Sequence, residues 1–128
     1  MGRVLAAIVL SAVLAGCAAR PACNEAVSDL LYFGTETPGG AVGAEDWSSF
    51  LRDVVTPRFP EGFTTWPARG QWKSSSGTIQ KEASYIVNIV HPEAETSEAA
   101  IRAIIDTYKS RFRQESVLRV SSRSCISF

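Results

Sequence analysis

Cysteine is the residue type with the most definite chemistry in this 128-residue sequence, which has three cysteines and one histidine. Leu14-Ala15-Gly16-Cys17 closes an apolar run that begins at Val4, after the single charge of Arg3. Small residues that end in cysteine directly behind such a run are typical of a bacterial lipoprotein signal. The pattern therefore predicts a signal peptide over residues 1–16 and a lipid on Cys17.

The apolar run is too short to stay in the membrane as a helix. It has 12 residues from Val4 to Ala15, whereas a hydrocarbon core needs roughly 20. We therefore expect a lipid-anchored envelope protein, on the periplasmic side of the outer membrane in a cell with two membranes, because Ala18 and not aspartate follows Cys17. The alternative is an ordinary secretory signal cleaved near Ala18 or Ala19.

Two further cysteines, Cys23 and Cys125, remain if Cys17 carries the lipid. Disulfides persist in the bacterial envelope, so these two could form one. They could instead stay free or bridge two copies of the chain. The spacing alone does not decide, and the topology of the domain has to.

The only histidine, His91, ends an apolar segment and precedes Pro92. One histidine does not make a metal site, and as a catalytic base it would need a nucleophile and an orienting acid. No Gly-x-Ser-x-Gly nucleophile motif is present. We therefore predict no catalytic residue, no metal and no cofactor. The structural alternative for His91 is to cap the strand end or to bind a loop carbonyl.

The charge balance argues against nucleic acid as a partner. The whole chain has a formal net charge of zero, with 13 basic and 13 acidic residues. Cleavage before Cys17 would remove 16 residues and leave 112, enough for one domain with one core. A nucleic-acid-binding domain would be expected to carry a basic stripe, and this chain has none.

Hydrophobic periodicity places two helices. The first has an apolar stripe at helical spacing and should end at Thr56, because the residue before a proline is disfavoured in a helix. The second should begin with Thr96 or Ser97 as its N-cap and carry a second such stripe. The stripes consist of Trp47, Phe50, Leu51, Val54 and Val55 in the first helix, and of Ile101, Ile104, Ile105, Tyr108 and Phe112 in the second.

Four strands surround these helices. The first runs from Val27 to Thr35, and a hairpin follows with a polar tip at residues 74–77. Pro67 marks the first hairpin strand as an edge strand or a bulge, since proline cannot donate to a ladder. The β-branched return strand, residues 85–90, is predicted to be central. The last strand is predicted as two pieces, residues 117–120 and 125–128, interrupted by serines.

The order β-α-β-β-α-β predicts a ferredoxin-like α+β sandwich, a four-stranded antiparallel sheet with two helices on one face and spatial order 4-1-3-2. We assign residues 17–26 to a lipidated tether and residues 27–128 to this single domain. In the sandwich the start of the first strand lies beside the end of the last. The topology therefore predicts a disulfide between Cys23 and Cys125 within one chain.

Several motifs resemble those of a bacterial family of small secreted proteins and lipoproteins, domain of unknown function 3574. The resemblance extends from about residue 23 to residue 128, and it implies an envelope location and a single domain but no mechanism. One departure is Gly43, where relatives tend to have a serine or aspartate helix cap. The motifs are Leu31-Tyr32-Phe33-Gly34, residues 54–62, Gly70-Gln71-Trp72, Ile89-Val90-His91-Pro92 and residues 114–120.

Alternation of side chains along the strands assigns two faces to the sheet. The uniformly apolar set should face the helices, and the other set should form an open face, although a register error of one residue would exchange them. The set expected to face the helices is Leu31, Phe33, Val87, Ile89, Leu118 and Val120. The set expected on the open face is Leu30, Tyr32, Ile86, Asn88, Val90, Val117 and Arg119.

An open face that is apolar with a few polar groups is typical of a dimer interface or a ligand groove. We predict a non-catalytic binding or assembly domain, anchored to the membrane by its lipid and able to form a homodimer through this face. Its candidate binding residues are Tyr32, Asn88, Arg119 and His91, although Arg119 could merely shield the sheet from water. The alternative is a small enzyme whose site lies on the open face inside a dimeric α+β barrel, with His91, Tyr32 or Arg119 in it.

Overall fold

The protein is described by a computed structural model over residues 23–128, so the predicted signal peptide and Cys17 lie outside the described residues. Four long strands form one antiparallel sheet in the order β4-β5-β1-β6. Because two helices complete the β-α-β-β-α-β sequence of elements, the predicted ferredoxin-like sandwich and its strand order are confirmed. The strands are β1 (Asn24–Gly34), β4 (Thr64–Lys73), β5 (Ile79–His91) and β6 (Leu118–Ile126).

The first helix, α1 (Ala44–Phe50), follows a short ribbon of β2 (Glu36–Thr37) and β3 (Gly40–Ala41). It continues as a π-helix over Leu51–Val55, where the Thr56 N–H donates to the Leu51 carbonyl at 2.9 Å. The helix ends before Pro57, as the sequence predicts, because proline restricts the residue that precedes it.

The second helix, α2 (Glu95–Phe112), begins two or three residues earlier than predicted. Its N-cap is Ala94, whose carbonyl accepts the first helical hydrogen bond from Glu98 at 3.0 Å. The prediction of Thr96 or Ser97 as the cap is therefore wrong. Backbone geometry, with Ala94 extended at φ −144° and ψ 149°, fixes this start without any capping side chain.

The core lies between the helices and one face of the sheet. Phe33 packs edge-on against Tyr108 with ring centroids 4.6 Å apart, and the Tyr108 hydroxyl donates to the Gly34 carbonyl at 2.8 Å. Trp47 stacks on Tyr85 at 4.4 Å. Both predicted helical stripes supply buried residues, and the fully buried apolar side chains are Leu31, Phe33, Phe50, Val55, Val87, Ile89, Ile101, Ile104 and Tyr108.

The two outer strands, β4 and β6, are both longer than the sequence suggests. Pro67 lies in β4 opposite Tyr85 without interrupting it, and the edge position predicted from this proline is confirmed. The predicted break in β6 is wrong, since Ser121 and Ser122 pair with Asp29 and Ser28 of β1. Continuous pairing with a central strand outweighs the weak strand preference of serine.

The predicted disulfide is present between Cys23 and Cys125, whose Cα atoms are 5.4 Å apart. It joins residues that are separated by 102 positions in the sequence. β1 begins at Asn24, so residues 24–26, which the sequence assigned to the tether, belong to the sheet. The disulfide therefore closes the domain at the residue before its first strand.

Candidate functional site

The four residues predicted for one binding face lie on opposite sides of the sheet. Tyr32 and Asn88 are on the open face, where the sequence placed them, and both are half-buried. His91 and Arg119 are on the face that the helices cover, where His91 is only 6% exposed. The prediction that Arg119 and His91 share the open face with Tyr32 and Asn88 is therefore wrong.

The error arises in β6, whose register differs from the predicted one by one residue. Arg119 lies opposite Leu31 and turns with it toward the helices. Leu118 and Val120, which the sequence assigned to the core, are on the open face and 60% and 46% exposed. Apolar patterning cannot detect this exchange of the two faces of β6, because Arg119 turns inward to pair with a buried carboxylate on β1.

That carboxylate is Asp29, which is fully buried and lies within hydrogen-bond distance of two side chains, Arg119 and His91. Arg119 donates to it with both arms of its guanidinium, Nε to Oδ1 at 2.9 Å and Nη2 to Oδ2 at 2.8 Å. His91 Nε2 lies 2.9 Å from the same Oδ2, and His91 Nδ1 lies 2.8 Å from the Pro92 carbonyl. Arg119 Nη1 reaches Glu98 of α2 at 2.8 Å. The four side chains form a connected row of ion pairs and hydrogen bonds across three strands and one helix, which we call the ion network.

Asp29 is held in its charged form despite its position. Burial raises the pKa of this carboxyl, but hydrogen bonds from Arg119, His91 and Ser121, together with the Arg119 charge, outweigh burial and leave the pKa below its usual range. The same bond to Asp29 is the main reason that the pKa of Arg119 rises.

The ion network is suited to structure more than to chemistry. Its central carboxylate has no exposed surface, and its histidine is bound at both nitrogens. His91 thus binds a loop carbonyl, the structural role considered for it from sequence. Asp29 was missed by the sequence analysis, although a signal existed, since it is an acid two and four residues before the buried Leu31 and Phe33 on the same strand face.

The open face carries the exposed apolar surface of the domain. Within residues 23–128, the strand register places one charged side chain on the open face, that of Glu82. Ser28 and Asn88 satisfy each other through a hydrogen bond of 2.9 Å. The other polar groups on this face are neutral. The large apolar side chains exposed on the open face are Trp66, Trp72, Val90, Leu118 and Val120.

One end of the open face is concave and forms a groove of about 590 Å³. Tyr32, Trp72 and Leu118 of the sheet line it, together with Glu36 of the β2–β3 ribbon and residues 113–116 after α2. Ligand sites of small molecules typically enclose about 300 to 1,000 Å³. Neither His91 nor Arg119 lines this groove, so of the predicted binding residues only Tyr32 belongs to it.

The floor of the groove is a carboxylate packed on a glycine. The Glu82 side chain lies over Gly34, so close that a Cβ at position 34 would stand 2.7 Å from Glu82 Oε1. The Glu36 N–H donates to Glu82 Oε2 at 3.3 Å. Glycine at 34 is therefore what admits the carboxylate. Sequence reasoning missed Glu82, since only the register of β5 shows that it faces the groove.

Within residues 23–128, no three side chains of His, Cys, Asp and Glu come close enough together to hold a metal ion. The helices of this part of the chain are too short or too polar to cross a bilayer.

Comparisons with known proteins agree with the motifs and the topology. The family described as protein of unknown function (DUF3574) matches residues 28–128, which confirms the resemblance seen in the sequence. No curated protein matches the chain. A phage SAM lyase in complex with S-methyl-5'-thioadenosine is similar in structure, with a TM-score of 0.60 and 18% identity over 80% of this chain and 90% of that chain. A phage SAM lyase in the apo state gives 0.57 and 19% over 80% and 89%. At these identities the likeness shows the fold alone.

Proposed function

This chain belongs to DUF3574, a family of unknown function, so we propose its role from its own geometry. The proposed role is that of a membrane-tethered binding domain of the bacterial envelope, which assembles with a second copy through its open face. The observation that carries this proposal is the exposed apolar surface of that face, with Trp66, Leu118 and Val120 between 39% and 60% exposed. Contiguous apolar patches of more than a few hundred Å² usually mark interaction sites.

The size and charge of the open face support a second copy as its partner. Four strands of 9 to 13 residues, spaced about 4.8 Å apart, give a face of about 700 Å². A stable interface typically buries roughly 800 Å² on each partner, so the face is close to what a dimer needs. Since Glu82 is the one charge on the strands of this face, two copies would meet with little electrostatic repulsion.

Self-association is tested on residues 18–128 secreted without the lipid. Light scattering should give the mass of a dimer, and Leu118→Glu should weaken the dimer at least tenfold, because it places a charge within the apolar interface. Ile79→Glu is the matched control, since Ile79 is 53% exposed but belongs to the opposite side of the β4–β5 hairpin. A wild-type domain that stays monomeric at high concentration, or equal loss in both variants, would remove the open face as an assembly surface.

The membrane tether is a separate part of the proposal and rests on Leu14-Ala15-Gly16-Cys17. Cys17→Ser should leave unprocessed precursor and abolish labelling by a fatty acid analogue in cells. Cys23→Ser is the control, because it removes a nearby thiol without touching the signal. Labelling that survives Cys17→Ser would end the lipoprotein assignment.

A small enzyme is the second candidate, and the groove favours it. Tyr32 and Glu82 both line it, beside an open face that a second copy could close into a barrel. The fold likeness to a phage SAM lyase suggests SAM and S-methyl-5'-thioadenosine as the first compounds to try. Turnover would be sought by incubating the domain with SAM and following S-methyl-5'-thioadenosine by chromatography. Absence of both turnover and a thermal shift with SAM would exclude this activity.

A further inference from the structure

We propose that the groove binds a small organic cation that has a flat apolar part. A single chain supplies all the walls of the groove, so the proposal does not depend on self-association. It deepens the binding role of the open face, since Tyr32, Trp72 and Leu118 belong to both.

The charges that line the groove are mostly negative. Glu36, Glu82 and Glu115 contribute three carboxylates, and Arg113 contributes one guanidinium. Among residues 23–128, no cationic group lies within 4.0 Å of the Glu36 or Glu82 carboxylate. A positively charged ligand would therefore meet an excess of negative charge.

Two cationic side chains, Arg69 and Lys81, lie near the groove. They line an adjoining cavity together with Glu36 and Glu82, on the other side of the hairpin from the groove. Neither forms an ion pair with these carboxylates. They reduce the negative potential of the groove without occupying it, so a ligand has free access to Glu82 from the open face.

Glu82 is built into the floor, in contrast to a freely moving surface carboxylate. Its oxygens fill the space above Gly34, and the Glu36 N–H fixes one of them at 3.3 Å. Its charge is also felt in the core, because after burial it is the next cause of the raised pKa of Tyr108. The position of the negative charge is therefore set by the backbone of β1.

Aromatic surface next to this carboxylate completes the site. Trp72 is 42% exposed and Tyr32 is half-buried, and both side chains line the groove. The face of an indole or phenol ring attracts cations, most strongly in tryptophan. A carboxylate below and aromatic faces at the side together select a cation that is attached to an apolar group.

Three probes of one skeleton and different charge test the proposal: phenethylammonium, 2-phenylethanol and phenylacetate. Each is titrated into residues 18–128 while the indole N–H signals of the protein are followed by NMR. We expect phenethylammonium to bind about tenfold more tightly than 2-phenylethanol, as cation–π and ion-pair contacts would give. Phenylacetate should bind least. The Trp72 signal should shift, while that of buried Trp47 should stay unchanged and serve as an internal reference.

Two variants then test the role of Glu82. Glu82→Gln should remove the preference for phenethylammonium over 2-phenylethanol, whereas Glu61→Gln, an exposed carboxylate near the other end of β4, should keep it. Gly34→Ala should weaken phenethylammonium binding severalfold while keeping every charge, because the added Cβ displaces the Glu82 carboxylate. Equal affinity of the charged and neutral probes, or a preference that persists in Glu82→Gln, would overturn the proposal. Val120→Glu places a charge on the open face outside the groove; if it gives a monomer it should still bind the cation, and this separates the proposal from self-association.

Discussion

Asp29 shows how one side chain can decide which way a strand faces. Its two oxygens accept from Arg119 and His91, and the bonds leave no part of the carboxylate in contact with solvent. Apolar patterning alone would turn Leu118 and Val120 inward and Arg119 outward. The bidentate ion pair outweighs that preference, because a buried carboxylate without a partner would cost several kcal/mol, or about as much as a large apolar cavity.

Removal of the Asp29 charge should strongly destabilise the protein. Asp29→Asn leaves Arg119 and His91 facing an amide, so we expect a loss of about 3 to 5 kcal/mol in the free energy of unfolding at pH 7, as for a broken buried ion pair. Denaturant unfolding measures this loss. Asp106→Asn, an exposed carboxylate of α2, is the control and should change stability little.

The same variant predicts a pH dependence with a definite sign. The folded pKa of Asp29 is lowered, so its contribution is fully present above the unfolded value of about 3.9 and is lost as pH falls through the folded value. The difference between wild type and Asp29→Asn should therefore shrink between pH 5 and pH 2. If the difference in the free energy of unfolding stayed constant over this pH range, Asp29 would not be charged and paired as the ion network requires.

Helices and strands are predicted correctly from the sequence where their hydrophobic pattern is long and periodic. The two helical stripes and the central strand lie where the sequence places them, because each buries a face against the rest of the core. The start of α2 and the continuity of β6 depend instead on contacts made in the folded chain. Pairing with β1 overrides the serines of β6, and no local pattern contains that information.

The uncapped start of α2 offers a stabilising substitution. Ala94 has the extended backbone of an N-cap but no side-chain acceptor for the first free N–H groups. Ala94→Ser should therefore raise the free energy of unfolding by about 1 kcal/mol, the usual value of a capping side chain. Ala99→Ser, an exposed position within the same helix, should lower it slightly. Equal effects at the two positions would mean that capping plays no part.

The whole domain follows from the order of its elements. The β-α-β-β-α-β sequence predicts the strand order and, through it, the meeting of Cys23 and Cys125, which the structure confirms. The groove could not be predicted in the same way. It depends on how Glu82, Gly34 and the segment after α2 come together at one end of the sheet, where no pattern in the sequence connects them.

Loss of the disulfide should affect the whole domain, not one element. In the chain-entropy description, a closed loop of about 100 residues stabilises the folded state by about 4 to 5 kcal/mol. Cys125→Ser should therefore lower the melting temperature appreciably, and wild type in reductant should match it. Mass spectrometry of the unreduced protein should give one linked chain without free thiols at Cys23 and Cys125. Two freely alkylated thiols would contradict the pairing.

The Cys23–Cys125 bond also determines how the domain would bear mechanical load. With Cys17 anchored as proposed, tension on the tether enters at Cys23, six residues along the chain. Part of this force passes through the sulfur atoms into β6, so β1 cannot be peeled from β6 one hydrogen bond at a time from that end. Both strands are pulled together against the rest of the sheet. In an oxidising envelope the domain should therefore resist extension from its anchor, and a reductant should make it unravel at lower force.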